Sequence, residues 1–134
     1  MITSKNEVMT VSASEHVTLA RQLVKKYAAE VGFSLVEQTK LVTAASELAR
    51  NMLIYGGGGI VHIESVESGG RRVLRVTFED HGPGIADLEL AMKDGYTTGT
   101  GLGLGLSGSK RLVDDFEIVS KVGEGTRVTI TRWK

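Results

Sequence analysis

The sequence predicts a two-layer α/β sandwich: a mostly antiparallel mixed sheet with helices on one face. Three observations lead there. Two long segments repeat their apolar residues at helical spacing. The chain then switches to strict alternation, the period of a half-buried strand. Finally, adjacent alternating segments are joined by tight glycine turns at Ser68-Gly69-Gly70 and Gly123-Glu124-Gly125, which makes them antiparallel neighbours. The order is strand, two helices, two strands, helix, two strands. Helices between hairpins must cover one sheet face, which excludes a doubly wound parallel sheet.

Each element has a local reason. Glu7 to Ser12 reads as a short strand. Ser12-Ala-Ser-Glu15 has capping-box form, and Val17, Ala20, Val24, Tyr27, Ala28 and Val31 then follow as one helical stripe stopping at Gly32. Ser34-Leu-Val-Glu37 is a second capping box. It opens a helix with its stripe at Leu35, Gln38, Leu41, Val42, Ala45, Leu48, Ala49 and Met52, ending before the glycines at 56–59. Val61 and Ile63, then Leu74, Val76 and Phe78, alternate with polar residues in a hairpin. A short helical stretch is expected over Asp87 to Lys93, and a third main helix over Gly103 to Asp115. Phe116 to Val122 and Thr126 to Trp133 form the closing hairpin.

The bulk numbers fit this plan. A chain of 134 residues makes one domain, 1–134, able to bury roughly two thirds of the surface its unfolded form exposes. Lys+Arg and Asp+Glu both number 16, which argues against nucleic acid as a partner held by a basic surface. The absence of cysteine excludes disulfide and thiol chemistry. No signal-type segment and no apolar run of roughly 18 residues is present. The expectation is a soluble, cytoplasmic protein with no membrane contact.

Glycine is the compositional outlier. The 17 glycines cluster rather than scatter, which points to backbone that approaches something closely. Glu47 and Asn51 lie one helical turn apart, about 40° around the axis. A carboxylate can take a proton from a hydroxyl or water, and an amide oxygen can serve a hard cation. Alone, such a pair is more often a solvated helix flank. Asp80 has the parity of Leu74, Val76 and Phe78, so it points inward. An inward carboxylate needs donors, supplied either by the protein or by a ligand amine. With Gly82 and Gly84 beside it, it suits a floor for a flat ring. Gly99 to Gly105 opens a helix and could receive an anion. Gly103-Leu-Gly105-Leu-Ser-Gly108 has the spacing of a dinucleotide fingerprint, but no strand precedes it and no parallel βαβ unit surrounds it. Gly123-Glu-Gly-Thr126 is explained by a hairpin turn; in combination with the other motifs, the Thr126 hydroxyl could support Asp80 or the ring it reads. The three histidines show no metal-ligand spacing.

Taken in order, Glu47-x-x-x-Asn51, Asp80-x-Gly82-x-Gly84, the Gly99–Gly105 ladder and Gly123-x-Gly125-Thr126 resemble the N box and the three glycine boxes of the GHKL ATPases. That family includes gyrases, Hsp90, histidine kinases and MutL, and its Bergerat fold has the layer order derived above. Ser46-Glu-Leu-Ala-Arg-Asn51, Glu79-Asp-His-Gly-Pro-Gly-Ile85, Lys93-Asp-Gly-Tyr-Thr-Thr98 and Lys110-Arg-Leu-Val-Asp-Asp-Phe116 are similar to the anti-sigma regulatory factor family, small serine/threonine kinases that control sigma factors by partner switching. Arg50 favours the stressosome branch, since the neighbouring anti-sigma kinases carry a small polar residue there.

The resemblance implies ATP and Mg²⁺ as cofactors. It implies Glu47 as general base, Asn51 as magnesium ligand and Asp80 reading the adenine amine above Gly82 and Gly84. Gly99, Gly101, Gly103 and Gly105 would hold the phosphates under a lid spanning about 87–101, and Thr126 would back the adenine contact. The implied partners are STAS-domain antagonist or scaffold proteins of a stressosome, carrying the acceptor Ser or Thr, and a PP2C-type phosphatase activated on release. A homodimer is compatible with it. Two alternatives stand beside this reading: a direct anti-sigma factor kinase, and a nucleotide-binding interaction module without transfer activity.

Overall fold

A computed structural model of the chain describes residues 2–93 and 105–134. Strand β1 (Ile2–Val11) leads into helices α1 (Ser14–Val31) and α2 (Leu35–Gly56). Strands β2 (Gly59–Ser68) and β3 (Arg71–Glu79), short helices α3 (Leu88–Ala91) and α4 (Gly105–Lys110), and strands β4 (Asp115–Lys121) and β5 (Gly125–Trp133) follow. The sheet order is β1-β2-β3-β5-β4, and each of these pairings is antiparallel. The expected two-layer sandwich is present, with α1 and α2 packed on one sheet face and α4 beside α2.

Alternation places the core between the layers. Val61 and Ile63 of β2, Leu74, Val76 and Phe78 of β3, and Val128 and Ile130 of β5 meet Val17, Val24, Tyr27 and Val31 of α1 and Leu41, Leu48 and Met52 of α2. Each of the larger fully buried side chains contributes about 1.5–3 kcal/mol of transfer free energy. Tyr27 is buried but not apolar at its tip: its hydroxyl donates to Glu7 Oε1 at 3.3 Å. The opposite face, carrying Glu64, Arg75, Thr77, Arg127 and Glu117, bears no helix among the described residues. There Arg75 grips Glu64 through two bonds of 3.1 and 3.2 Å, which holds the Glu64 carboxyl below its ordinary range.

Several expectations need correction. Strand β1 begins at Ile2 rather than Glu7, because its whole length pairs with β2. The Ser12–Glu15 capping box does not form. The N-cap is Ala13 without a side-chain cap, and His16 Nδ1 instead accepts from the Ser12 N–H at 3.0 Å. The second box does form: Ser34 Oγ accepts from Glu37 N–H, and Glu37 Oε1 accepts from Ser34 N–H. The stripe of α2 is wider than its sequence period. Leu35 is exposed, whereas Ala44, Ser46 and Glu47 are buried beside Ala45, Leu48 and Ala49, since α1, the sheet and α4 all press on this helix. The third helix ends at Lys110 instead of Asp115. Past that point Asp114 N–H donates to Thr131 O, Asp114 accepts from Trp133 N–H, and Asp115 accepts from the Trp133 indole. These bonds to β5 outcompete further helical turns. The start of that expected helix, at 103–104, lies outside the described residues.

Candidate nucleotide site

Helix α2 is the spine of the site. Its mid-section is buried, so Glu47 sits in the interior, only 6% exposed, and not on a solvated flank. Arg50, three residues on, reaches back from the surface and places its guanidinium 3.5 Å from Glu47 Oε1. Asn51, one turn beyond Glu47, is half-buried. Its side chain makes no hydrogen bond among the described residues, so its amide oxygen is open to a ligand. Glu47 and Gly56, at the end of the helix, are separated by about 13 Å of axial rise.

At that far end the helix meets the loop after β3. Asp80 is 8% exposed, on the inward parity its position dictates. Its Oδ1 accepts from Gly82 N–H at 2.9 Å and from Thr126 N–H at 3.2 Å. Its own N–H donates to Thr126 O at 3.0 Å. Oδ2 receives no hydrogen bond among the described residues. The carboxylate is thus satisfied on one oxygen by the fold and left with acceptor capacity on the other.

Gly82 and Gly84 have reasons beyond a bare floor. A Cβ on Gly82 would stand 2.7 Å from Gly56 Cα, so the loop and the helix end can touch only as glycines. Gly84 has φ +74°, and its missing side chain faces the Lys121 carbonyl. Gly123 N–H donates to Pro83 O at 2.9 Å beside it. The loop after β3 is therefore clamped between α2 and the β4–β5 hairpin.

Ser120 is the member of this constellation that sequence reasoning missed. Its hydroxyl accepts from Ile85 N–H at 2.8 Å, donates to Gly125 O at 3.2 Å and lies 2.7 Å from Thr126 Oγ1. A signal was available. Phe116, Ile118 and Ser120 share the inward parity of β4, so a polar residue at 120 is the same kind of anomaly as Asp80.

The structure brings Asp80, Gly82, Gly84 and Thr126 together at the end of α2, with Glu47 and Asn51 further along the helix. Gly105 opens α4, which packs beside α2, and its carbonyl accepts from the Ser109 hydroxyl at 3.2 Å. Gly99, Gly101 and Gly103, and most of the expected lid, lie outside the described residues. No group of three or more His, Cys, Asp or Glu side chains able to hold a metal occurs among the described residues. The open amide of Asn51 is a sparse donor set. It fits magnesium, which keeps waters and takes further ligands from phosphate.

Residues 36–134 match the family of histidine kinase-, DNA gyrase B- and HSP90-like ATPases. The chain is 46% identical over 117 residues to serine/threonine-protein kinase RsbT of Bacillus subtilis, covering 87% of this chain and 88% of that one. It is 31% identical over 137 residues to the anti-sigma F factor of Thermoanaerobacter sp., covering 98% and 94%. Among solved structures, the RsbU and RsbW domains of a Mycobacterium tuberculosis protein superpose with TM-score 0.67 at 19% identity, covering 98% of this chain and 33% of that one. Among the described residues no helix is long and apolar enough to cross a membrane. The chain belongs to the histidine kinase-, gyrase B- and HSP90-like ATPase family and, within it, to the branch of RsbT-like serine/threonine kinases and anti-sigma factors.

Proposed function

We propose that this protein is an ATP-dependent serine/threonine protein kinase and partner switch. Its substrates are STAS-domain proteins of a stressosome, and on release it activates a PP2C-type phosphatase in the cytoplasm. One observation carries the nucleotide part: a buried carboxylate, Asp80, anchored by two backbone donors on Oδ1 with Oδ2 left to accept. Family membership supports ATP as the nucleotide, and the likeness to a serine/threonine kinase supports a protein hydroxyl as acceptor.

In this reading Asp80 accepts a hydrogen bond from the adenine amine, and Thr126 stands beside it. Asn51 would hold magnesium together with the phosphates, and the bound ion supplies neutralisation of the phosphate charge. Gly99, Gly101, Gly103 and Gly105 would offer backbone N–H groups to the phosphate oxygens. Glu47 takes the proton of the acceptor hydroxyl as its oxygen bonds to the γ-phosphorus, while the bond from that phosphorus to the bridging oxygen breaks and ADP leaves. Positioning and charge neutralisation supply most of the acceleration of such a transfer. The buried setting of Glu47 suits this role, since few waters compete for its carboxylate.

The test is incubation with γ-labelled ATP and a purified STAS-domain protein. Label on a Ser or Thr of that protein is expected. ATP hydrolysis or binding without labelled protein would overturn the kinase reading in favour of a nucleotide-binding module. A second reading, direct anti-sigma activity, is favoured by the likeness to anti-sigma F factors over 98% of the chain. Co-purification with a core sigma factor in an ATP-dependent manner would select it.

A further inference from the structure

The hydroxyl chemistry at the Asp80 end of the site goes further than nucleotide binding. Ser120, Thr126 and Asp80 lie side by side on β4, β5 and the end of β3, all on the helix-facing side of the sheet. A serine hydroxyl has one proton and two lone pairs. Ser120 Oγ has three neighbours: the Ile85 N–H at 2.8 Å, the Gly125 carbonyl at 3.2 Å and Thr126 Oγ1 at 2.7 Å. The amide can only donate and the carbonyl can only accept. One assignment satisfies all three contacts: Ser120 accepts from Ile85, donates to Gly125 and accepts from Thr126. The reverse assignment gives Ser120's proton to Thr126 and sets Ser120 and Gly125 lone pair against lone pair.

Under that assignment the only proton of the Thr126 hydroxyl is spent on Ser120. What remains on Thr126 Oγ1 is acceptor capacity. Asp80, beside it, already accepts on Oδ1 and offers Oδ2. Asp80 Oδ2 and Thr126 Oγ1 are therefore left as acceptors with no hydroxyl donor beside them, a pair that matches an exocyclic amine and opposes an exocyclic carbonyl.

We infer that Ser120 is a specificity-determining positioning residue: by taking the Thr126 proton it fixes Thr126 as an acceptor and so biases the site toward 6-amino over 6-oxo purine nucleotides. This rests on the nucleotide reading above. Ser120 touches no base itself. It acts through Thr126, and removing it frees the Thr126 proton to turn toward the pocket and greet a carbonyl.

The experiment is titration calorimetry of the full chain with ATP and with inosine triphosphate, which replaces the 6-amino group by a carbonyl. The wild type prefers ATP. Ser120→Ala narrows that preference about three- to tenfold, the worth of one neutral hydrogen bond, and Ser120→Thr, which keeps the hydroxyl, retains it. Thr126→Val narrows it as well, and adding Ser120→Ala to Thr126→Val changes it no further, because the path runs through one hydroxyl. Equal weakening of both nucleotides by Ser120→Ala would assign Ser120 a merely structural part and overturn the inference. A further loss in the double variant would also overturn it. Should Ser120→Ala fail to fold, Thr126→Val decides: an unchanged preference overturns the inference. Wild type that binds both nucleotides equally sinks this inference alone, whereas wild type that binds neither sinks the nucleotide reading beneath it.

Discussion

Replacing Asp80 separates its two jobs, because the two oxygens have different partners. Asp80→Asn can keep a carbonyl oxygen at the Oδ1 position, where Gly82 N–H at 2.9 Å and Thr126 N–H at 3.2 Å still find an acceptor. The amide NH₂ then takes the place of Oδ2 and meets the adenine amine donor to donor. A hydrogen bond to a charged group is worth about 1.5–3 kcal/mol, so the ATP dissociation constant should rise about 10- to 150-fold. The fold should lose only the charge assistance of the two internal bonds, about 1 kcal/mol. Asp80→Ala differs in kind. It strands two half-buried N–H groups, at most about 1–3 kcal/mol each, and should melt earlier than the Asn variant. Titration calorimetry with ATP and urea unfolding of both variants provide the readouts. A folded Asn variant that binds ATP within twofold of wild type would refute the assignment of Oδ2 to the base. An Asn variant as unstable as the Ala variant would refute the division of labour between the oxygens.

Glu47→Gln should lower phosphoryl transfer about 10²- to 10⁴-fold with ATP affinity largely kept, checked by initial rates of STAS-protein labelling beside calorimetry. Gly84→Ala should destabilise by about 1–3 kcal/mol, since φ is +74° and the added methyl meets the Lys121 carbonyl. Gly123→Ala, at φ +82° with open space around it, should lose only the conformational share, about 1–2 kcal/mol; urea midpoints decide. The Tyr27 hydroxyl has its pKa pushed up to about 12, first by burial, then by the charge and hydrogen bond of Glu7 and the charge of Glu30. An unfolded tyrosine ionises near about pH 10. The neutral hydroxyl's stabilisation is therefore fully present below pH 10 and declines as pH rises from there toward 12. Urea midpoints across that window should fall in the wild type and fall less in Tyr27→Phe.

How far the sequence could be read depended on how local each cause was. The α1 stripe, the Ser34–Glu37 box and both hairpin turns are set within a few residues, and they appear in the structure where the spacing places them. Asp80 was legible for a related reason: parity along β3 carries its inward orientation even though its partners are distant. The width of α2 was not legible, because α1, the sheet and α4 all pack on this helix, and the spacing of Ala44 and Glu47 alone says nothing of those neighbours. The length of the third helix failed for the same reason, Trp133 on the neighbouring strand claiming Asp114 and Asp115 from 19 and 18 residues further along the chain. Gly82 and Gly84 were legible as close approaches, but not in what they approach. Nor did the hairpin motif around Gly123 reveal that Ser120, just before it, ties Ile85 to Thr126.

The order β1-β2-β3-β5-β4 has a consequence in time. Strand β5 follows β4 in the chain but inserts between β4 and β3. Until it docks, β3 is a bare edge, with Val76 and Phe78 lacking the Ile130 and Val128 that pair with them. Such an edge is open to wrong partners while folding is incomplete. The same docking event delivers Thr126 to Asp80 and Ser120 to Ile85. The base end of the site is thus complete only once β5 is in place, so a nucleotide bound there would recognise, and by mass action favour, only chains whose sheet has closed.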